Sequence, residues 1–259
     1  MSFDVPADAY DRFMGRFSQP LGPTFAEFAG VPAGERILDV GSGPGALTSV
    51  LVDLLGAEKV AAVDPSESFV AAAGQRHPGV DVRIATAAAL PFGDGEFDRT
   101  LAQLVVHFMP DPVAGLREMA RVTRPGGVVA ACVWDHAGSD GPLSAFWDAV
   151  RGIDRTAVDE ADLPGARRGS LPALFRSAGL MEVEDDLLEV SVPFDGFAAW
   201  WEPFTLGVGP AGRYVAGLDA DRRRLLRDRC ATHLPSGPFT LTAKAWAVSG
   251  VPPPGSDPV

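Results

Sequence analysis

Between Arg36 and Trp134, short apolar runs alternate with stretches of helical periodicity. Arg36–Val40 (RILDV) predicts a buried strand, and Gly41–Gly45 a glycine-rich turn. Leu47, Val50, Leu51 and Leu54 then recur at helical spacing, with Gly56 as a stop. Val60–Val63 predicts a second strand. Pro65 and Ser66 can start a helix running to about Gln75, and Val82–Ala85 reads as a short third strand. Phe97–Val105 predicts a fourth strand. Asp111 and Pro112 suit the N-cap and first residue of a helix whose apolar face is Val113, Leu116 and Ala120. Pro125, Gly126 and Gly127 are expected to end that helix before a fifth strand, Val128–Trp134. Repeated βα units of this kind predict a parallel sheet covered by helices.

After Trp134 the pattern changes. Ser144–Val150 and Leu171–Ala178 read as helices, the second stopped by Gly179, while Asp154–Arg168 is polar without a clear period. Val183–Val192 reads as a strand, and Phe194, Phe197, Trp201 and Phe204 fall near one helical face. Asp219 can cap a helix through about Thr232, and Phe239, Leu241, Ala243, Ala245 and Ala247 alternate as a final strand. The tail after Gly250 is expected to be loose. No internal repeat or low-complexity linker divides the chain, and 259 residues suffice for one large α/β domain.

Charge narrows the partners. The formal net charge is -12, whereas proteins that grip nucleic acid usually carry a basic face. The balance therefore argues against nucleic acid or an anionic membrane as the main partner. No apolar run reaches the roughly 18 residues that suggest a membrane span. Met1 to Asp11 carries early acids and no apolar core, so a signal peptide is not expected and the cytoplasm is the default location. Cys132 and Cys230 lie in no CxxC or Cys/His cluster, and no metal site is expected.

The chemistry begins at Asp39-Val40-Gly41-Ser42-Gly43-Pro44-Gly45, which follows a strand and opens a helix. Glycines there let the backbone turn tightly and approach a ligand. Asp64 ends the next strand, where a carboxylate can accept hydrogen bonds from both hydroxyls of a ribose. Together they read as an adenosine site. Gly41-Ser42-Gly43-Pro44-Gly45-Ala46 also satisfies the dinucleotide fingerprint G-x-G-x-x-G/A, so an NAD-dependent oxidoreductase stays open at this point. The plainer readings are a loop whose glycines only reverse the chain, and an acid that caps the helix after Pro65.

Further motifs separate these readings. Ile37-Leu38-Asp39-Val40-Gly41-Ser42-Gly43-Pro44-Gly45, with an acid two residues before the first glycine, is followed by Leu90-Pro91-Phe92, Phe97-Asp98 and Arg121-Val122-Thr123-Arg124-Pro125-Gly126-Gly127. In these pieces, their order and their spacing, the chain resembles the class I S-adenosylmethionine-dependent methyltransferases, in particular the small-molecule group of methyltransferase type 11. The resemblance covers about Tyr10 to Trp134. It implies an α/β fold with a Rossmann-like seven-stranded sheet, strand seven antiparallel between strands five and six, helices on both faces, and helical insertions near the substrate mouth. It divides one domain, residues 1–250, into an N-terminal lid (1–30), a cofactor-binding half (35–134) and a substrate-side half (135–250), with 251–259 as the loose tail.

The cofactor implied is S-adenosylmethionine. Gly41, Ser42, Gly43 and Gly45 would line its methionine and ribose portion, with Asp39 orienting the loop or the ligand's amino group. Asp64 would hold the ribose hydroxyls, and Pro65 or Ser66 would flank the adenine. Thr86 and Ala87 stand where the family meets the adenine edge, with Thr86 in place of the usual acid. Gln103 would sit beside the methionine end. Tyr10-Asp11-Arg12-Phe13-Met14-Gly15-Arg16-Phe17-Ser18 resembles a segment that folds over the cofactor, so Arg16 could pair with its carboxylate and Tyr10 cover the sulfonium. The alternative is a plain amphipathic helix with Arg12 and Arg16 in solvent.

His107 is the leading candidate for a general base, because an ordinary imidazole titrates near neutrality, although a residue that braces its loop is the plainer reading. His136 and Asp135 are weaker candidates. The acceptor is expected to be a small molecule, apolar or aromatic, because the region from Trp134 to Tyr214 is rich in aromatic residues: Trp147, Phe194, Phe197, Trp200, Trp201 and Phe204. Core packing under the inserted helices is the plainer reading of most of them. A macromolecule methyltransferase is disfavoured by the stretch Gln103-Leu104-Val105-Val106-His107-Phe108, which lacks the N/D-P-P-Y/F motif of DNA amino-methylating enzymes. An S-adenosylmethionine-binding protein without transferase activity stays open.

Overall fold

The computed structural model describes residues 5–254. The chain enters through α1 (Ala7–Tyr10) and α2 (Arg16–Phe28), joined by a π-helical turn over Asp11–Gly15 into one continuous rod. Alternation follows: β1 (Ile37–Val40), α3 (Ala46–Leu55), β2 (Val60–Asp64), α4 (Glu67–Arg76), β3 (Asp81–Ile84), β4 (Phe97–Gln103), α5 (Pro112–Val122) and β5 (Thr123–Trp134). The second half holds α6 (Ser144–Arg151), α7 (Ser170–Ser177), β6 (Met181–Phe194), α8 (Phe197–Trp201), α9 (Gly209–Ala216), α10 (Ala220–Thr232) and β7 (Phe239–Val251).

The strands form one sheet in the order β3-β2-β1-β4-β5-β7-β6. β1 to β5 pair in parallel, and β7 runs antiparallel to both β5 and β6. This is the predicted topology, including the inserted last strand. β1 and β2 are buried along their whole length, which is why they read as continuous apolar runs rather than alternating ones. In β5, Ala130, Cys132 and Trp134 face one core with α2 and α6, while Val129, Ala131 and Val133 face the other with α5 and α7. The two-residue period of a strand thus feeds both layers. At the edge, β6 buries Leu188, Val190, Val192 and Phe194 and exposes Glu182, Glu184, Asp185, Asp186 and Glu189. Such charges blunt pairing with another chain.

The order of strands fixes where a ligand can sit. After β3 the chain crosses back to β4 on the other side of β1, so the loops after β1 and β4 leave the sheet in opposite directions and open a crevice.

Several boundaries differ from expectation. Pro125-Gly126-Gly127 does not separate α5 from the sheet. β5 already pairs at Thr123 with Phe97, and an irregularity carries the register to Val128 opposite Arg99. Thr123 Oγ1 lies 2.7 Å from Thr100 Oγ1, and Gly127 packs against the Asp98 carbonyl too closely for a Cβ, so the glycine serves a bulge. Phe194 is not on the aromatic helical face but ends β6, and the helix there is α8, continued by a 3-10 turn over Glu202–Leu206 that carries Phe204. α9, opened by Gly209 and Pro210, was not foreseen. β7 extends to Val251, so the tail begins later than Gly250, and residues 255–259 lie outside the described residues. The caps behave as expected: Asp111 accepts the Ala114 N–H at 2.9 Å, and Asp219 accepts the Arg222 N–H at 2.8 Å.

The aromatic residues after Trp134 form a clamp. Phe204 stacks on Phe146 at 4.6 Å, tilts against Trp200 at 4.7 Å and meets Phe13 edge-on at 5.2 Å. It therefore joins the N-terminal rod, α6 and α8. Phe204→Ala is expected to cost about 3–5 kcal/mol of unfolding free energy in urea titration, the usual range for a buried phenylalanine. A loss below about 1 kcal/mol would contradict the clamp.

Candidate functional site

The loop after β1 is shaped by what lies above and beside it. Gly41 has φ 70°, and a Cβ there would come within 2.5 Å of the Val105 side chain. Only glycine fits on both counts. The Gly41 and Ser42 amides donate to the Val63 carbonyl at 2.7 and 3.0 Å, stitching the turn to β2. Gly43, at φ 54°, has nothing within 4 Å of a Cβ position, so its backbone faces open space. The Gly43 N–H donates to Asp64 Oδ2 at 2.9 Å, and the Ser66 N–H donates to Asp64 Oδ1 at 2.8 Å. The carboxylate at the end of β2 thus holds two βα turns together.

Asp39 is buried behind this loop, and its Oδ2 accepts the Thr48 hydroxyl at 2.7 Å. Burial pushes its carboxyl up to about 7, against the opposing Thr48 hydrogen bond and with some help from the nearby Asp64 charge. Burial also raises Asp64, with the Ser66 and Gly43 amides pulling the other way.

β4 ends abruptly. Leu104 takes φ 64°, left-handed for a side chain that avoids this region. Strain of this kind costs about 1–3 kcal/mol and clusters at functional sites. Here it turns the chain so that Val105 covers Gly41 and a short 3-10 turn, Val106–Phe108, brings in His107.

These pieces line one cavity of about 440 Å³, within the range of roughly 300–1,000 Å³ usual for small-molecule sites. Of the expected site residues it brings together Gly41, Gly43, Asp64, Pro65 and Ser66 with Thr86, Ala87, Gln103, His107 and Tyr10. Tyr10 comes from the rod, packs its ring 5.3 Å from Phe69, and has its hydroxyl pKa raised by burial and by the Asp64 and Asp11 charges. The π-helical turn adds Phe13 and Met14 to the same wall, a use of π-bulges common at functional sites. Gln103 donates Nε2 to the Ser18 carbonyl at 2.9 Å, tying the rod to β4.

Asp39, Ser42 and Gly45 are not in the cavity wall but in the layer supporting it. Arg16 is not brought to the cavity either. Its Nη1 donates to the Ala199 carbonyl at 3.0 Å and its guanidinium lies 4.9 Å from the Phe194 ring centroid, so neither expected position, at the ligand or in solvent, describes it. Arg12 does lie at the surface, paired with Glu202. Of the aromatic set, Trp147, Phe194, Phe197, Trp200, Trp201 and Phe204 all lie outside the cavity wall, as the core reading expects.

The second half contributes its own wall: Trp134, His136, Leu143, Glu160, Val208 and Pro210. His107 and His136 stand with ring centroids 5.6 Å apart. Burial, then the charge of the other imidazole, holds His107 well below the usual histidine range, and burial lowers His136 to about 4 with Asp159 opposing. Both are neutral at pH 7. Glu160 is the residue the sequence did not disclose. It sits in the aperiodic stretch before α7, is 4% exposed, and accepts the Trp147 indole N–H at 2.7 Å.

Known proteins share this fold. Residues 38–131 match the family described as methyltransferase domain. The YcgJ protein of Bacillus subtilis has the same fold, with a TM-score of 0.59 at 20% identity, over 90% of this chain and 98% of that one. Residues 38–131 thus carry the sequence pattern of a methyltransferase domain, on the fold seen in that structure. An uncharacterized protein of Mycobacterium tuberculosis is 35% identical over 64% of this chain and 64% of its own. An uncharacterized methyltransferase of a Mycobacterium species is 38% identical over 54% of this chain and 56% of its own. The chain thus spans less than two thirds of the length of these curated relatives.

Within the methyltransferase domain the buried Asp39 makes a prediction. Its carboxyl titrates higher folded than unfolded, so ionising it in the folded state opposes stability. Stability is full below the ordinary carboxylate range and is lost as pH rises toward 7. Asp39→Asn removes that group. The melting temperature of the variant relative to the parent is expected to be higher at pH 8 than at pH 4, and a constant difference would refute the assignment.

Proposed function

We propose that the chain is an S-adenosylmethionine-dependent methyltransferase acting on a small-molecule acceptor. The observation that carries this reading is the Asp64 carboxylate, held by the Gly43 and Ser66 amides at the edge of a cavity that continues past Gly41 to a separate wall from the second half of the chain. The residues present suit the cofactor. The space over Gly43 is open to a ligand, and no Lys or Arg lines the cavity to oppose a sulfonium.

Asp64 would hold the ribose hydroxyls, Pro65 and Ser66 would border the adenine with Thr86 and Ala87, and Gln103 would border the methionine end. The cofactor brings an electrophilic methyl and a neutral leaving group, which leaves alignment and exclusion of water to the protein. Tyr10, Phe13 and Met14 would supply that exclusion, with the rod as a lid fastened by Asp11 to Arg76 and by Arg12 to Glu202. His107 would border the acceptor, and its lowered pKa makes it a hydrogen-bond partner more than a proton acceptor. Among the described residues no helix is long and apolar enough to cross a membrane. Cys132 and Cys230 are free and buried, in keeping with work in the reducing cytoplasm.

Calorimetric titration with S-adenosylmethionine, S-adenosylhomocysteine and NADH tests the reading. Both adenosyl ligands are expected to bind and NADH is not. Asp64→Ala should weaken both by roughly 10–100-fold, the worth of hydrogen bonds to a charged group. NADH binding without adenosyl binding would restore the oxidoreductase. Adenosyl binding without methyl transfer to any member of an acceptor pool would favour a binding protein.

A further inference from the structure

The polar groups of the second-half wall are not used up by the fold. Glu160 accepts one hydrogen bond, from Trp147 to Oε2, and no other hydrogen bond reaches its carboxyl among the described residues. Among the described residues His136 Nε2 and, from the turn after β4, His107 Nδ1 are buried with no partner. A buried polar group left unpaired costs about 1–3 kcal/mol, so groups left so in the wall of a cavity mark where a ligand's polar atoms belong.

Their chemistry defines that ligand. Asp64, Asp111 and Glu160 line the cavity, and no Lys or Arg does. Asp64 and Asp111 already accept backbone amides. Glu160 is a nearly buried acid with an unengaged oxygen and no cation paired to it in the wall, which suits a cationic group and disfavours an anionic one. The two imidazoles are uncharged and do not repel a cation.

We propose that the acceptor is a primary or secondary amine on an apolar body, bound as its ammonium by Glu160 with the neutral imidazoles of His136 and His107 beside it. This rests on the methyltransferase reading. The ammonium proton passes to Glu160, which frees the nitrogen lone pair. The nitrogen–carbon bond then forms as the methyl's carbon–sulfur bond breaks, with the electron pair kept by sulfur. The product leaves as an ammonium, and Glu160 returns its proton to water. Burial raises Glu160 to about 7, with the Trp147 bond lowering it, Asp159 raising it and Arg213 lowering it. His136, from the loop after β5, lines the same cavity. A base near the working pH suits this transfer.

The test uses protein saturated with S-adenosylhomocysteine, titrated with arylalkylamines of increasing length and with alcohols and carboxylates matched to each in size. The amines are expected to bind about tenfold or more tighter than the alcohols, and the carboxylates weakest. Glu160→Gln keeps an oxygen for the Trp147 N–H. It should lower amine affinity about tenfold or more and leave S-adenosylhomocysteine affinity unchanged. At pH 7, amine binding to the parent protein should release protons, read by calorimetry in buffers of different ionisation heat, because burial raises the Glu160 carboxyl and holding an ammonium requires it to ionise. That measurement decides the matter alone should the variant not fold. Alcohols or carboxylates binding as tightly as matched amines, an unaffected Glu160→Gln, or no proton release would each overturn the proposal while leaving the methyltransferase reading intact. Failure of S-adenosylhomocysteine to bind would overturn both.

Discussion

The carboxylate of Asp64 joins the turns that follow β1 and β2. It takes the Gly43 amide on one oxygen and the Ser66 amide on the other, at 2.9 and 2.8 Å. The first amide belongs to the loop after β1 and the second to the turn that opens α4. Because the strands are parallel and adjacent, both loops leave from the same end of the sheet, and a single acid at the end of β2 can reach each. The arrangement depends on Gly41 next door. A side chain there would strike Val105, and Val105 is where it is because Leu104 accepts a left-handed backbone. Strain at the end of β4 thus secures the turn after β1, and the cavity is the space these turns leave between them.

Charge inside that space has one sign. Asp64 and Glu160 line it and Asp39 lies behind its loop; all three are buried, and burial raises the carboxyl of each. Lys and Arg are absent from the cavity wall and work elsewhere: Arg76 on Asp11 and the Pro44 carbonyl, Arg121 on Asp94 and Glu118, Arg124 on Asp98. Keeping several acids close without cations costs stability. A positive occupant lowers that cost, as a sulfonium at one end and an ammonium at the other would.

How far the sequence disclosed this follows from locality. The turn after β1 and the acid after β2 were legible because their signals are short-range: a buried strand, glycines forced by positive φ, and a carboxylate at a strand end. The caps Asp111 and Asp219 were legible for the same reason. Phe194 was misread because an aromatic at helical spacing from its neighbours also satisfies the last inward position of a strand. Pro125-Gly126-Gly127 reads as a helix stop because glycine in a bulge and glycine in a helix stop look alike before the partner strand is known. Arg16 was misjudged because its partners, Ala199 and Phe194, are nearly two hundred residues distant. Glu160 was invisible. It lies in a polar stretch without period, and only the burial of Trp147 and the packing of Ala137 against Ala166 turn that stretch inward.

The two halves of the cavity are therefore built by different means. The first is cut into the sheet, from strand ends and backbone amides whose positions follow from topology. The second is assembled from loops and short helices that pack on β5, β6 and the N-terminal rod through the Phe13, Phe146, Trp200 and Phe204 cluster. Side chains in such a packed layer can be exchanged without disturbing a hydrogen-bonded sheet, because packing tolerates substitution at conserved volume. A scaffold of this kind can keep one cofactor while its loops change the acceptor. In this chain the loop before α7 supplies the buried acid, so the proposed acceptor would be selected by the part of the sequence with the least regular pattern.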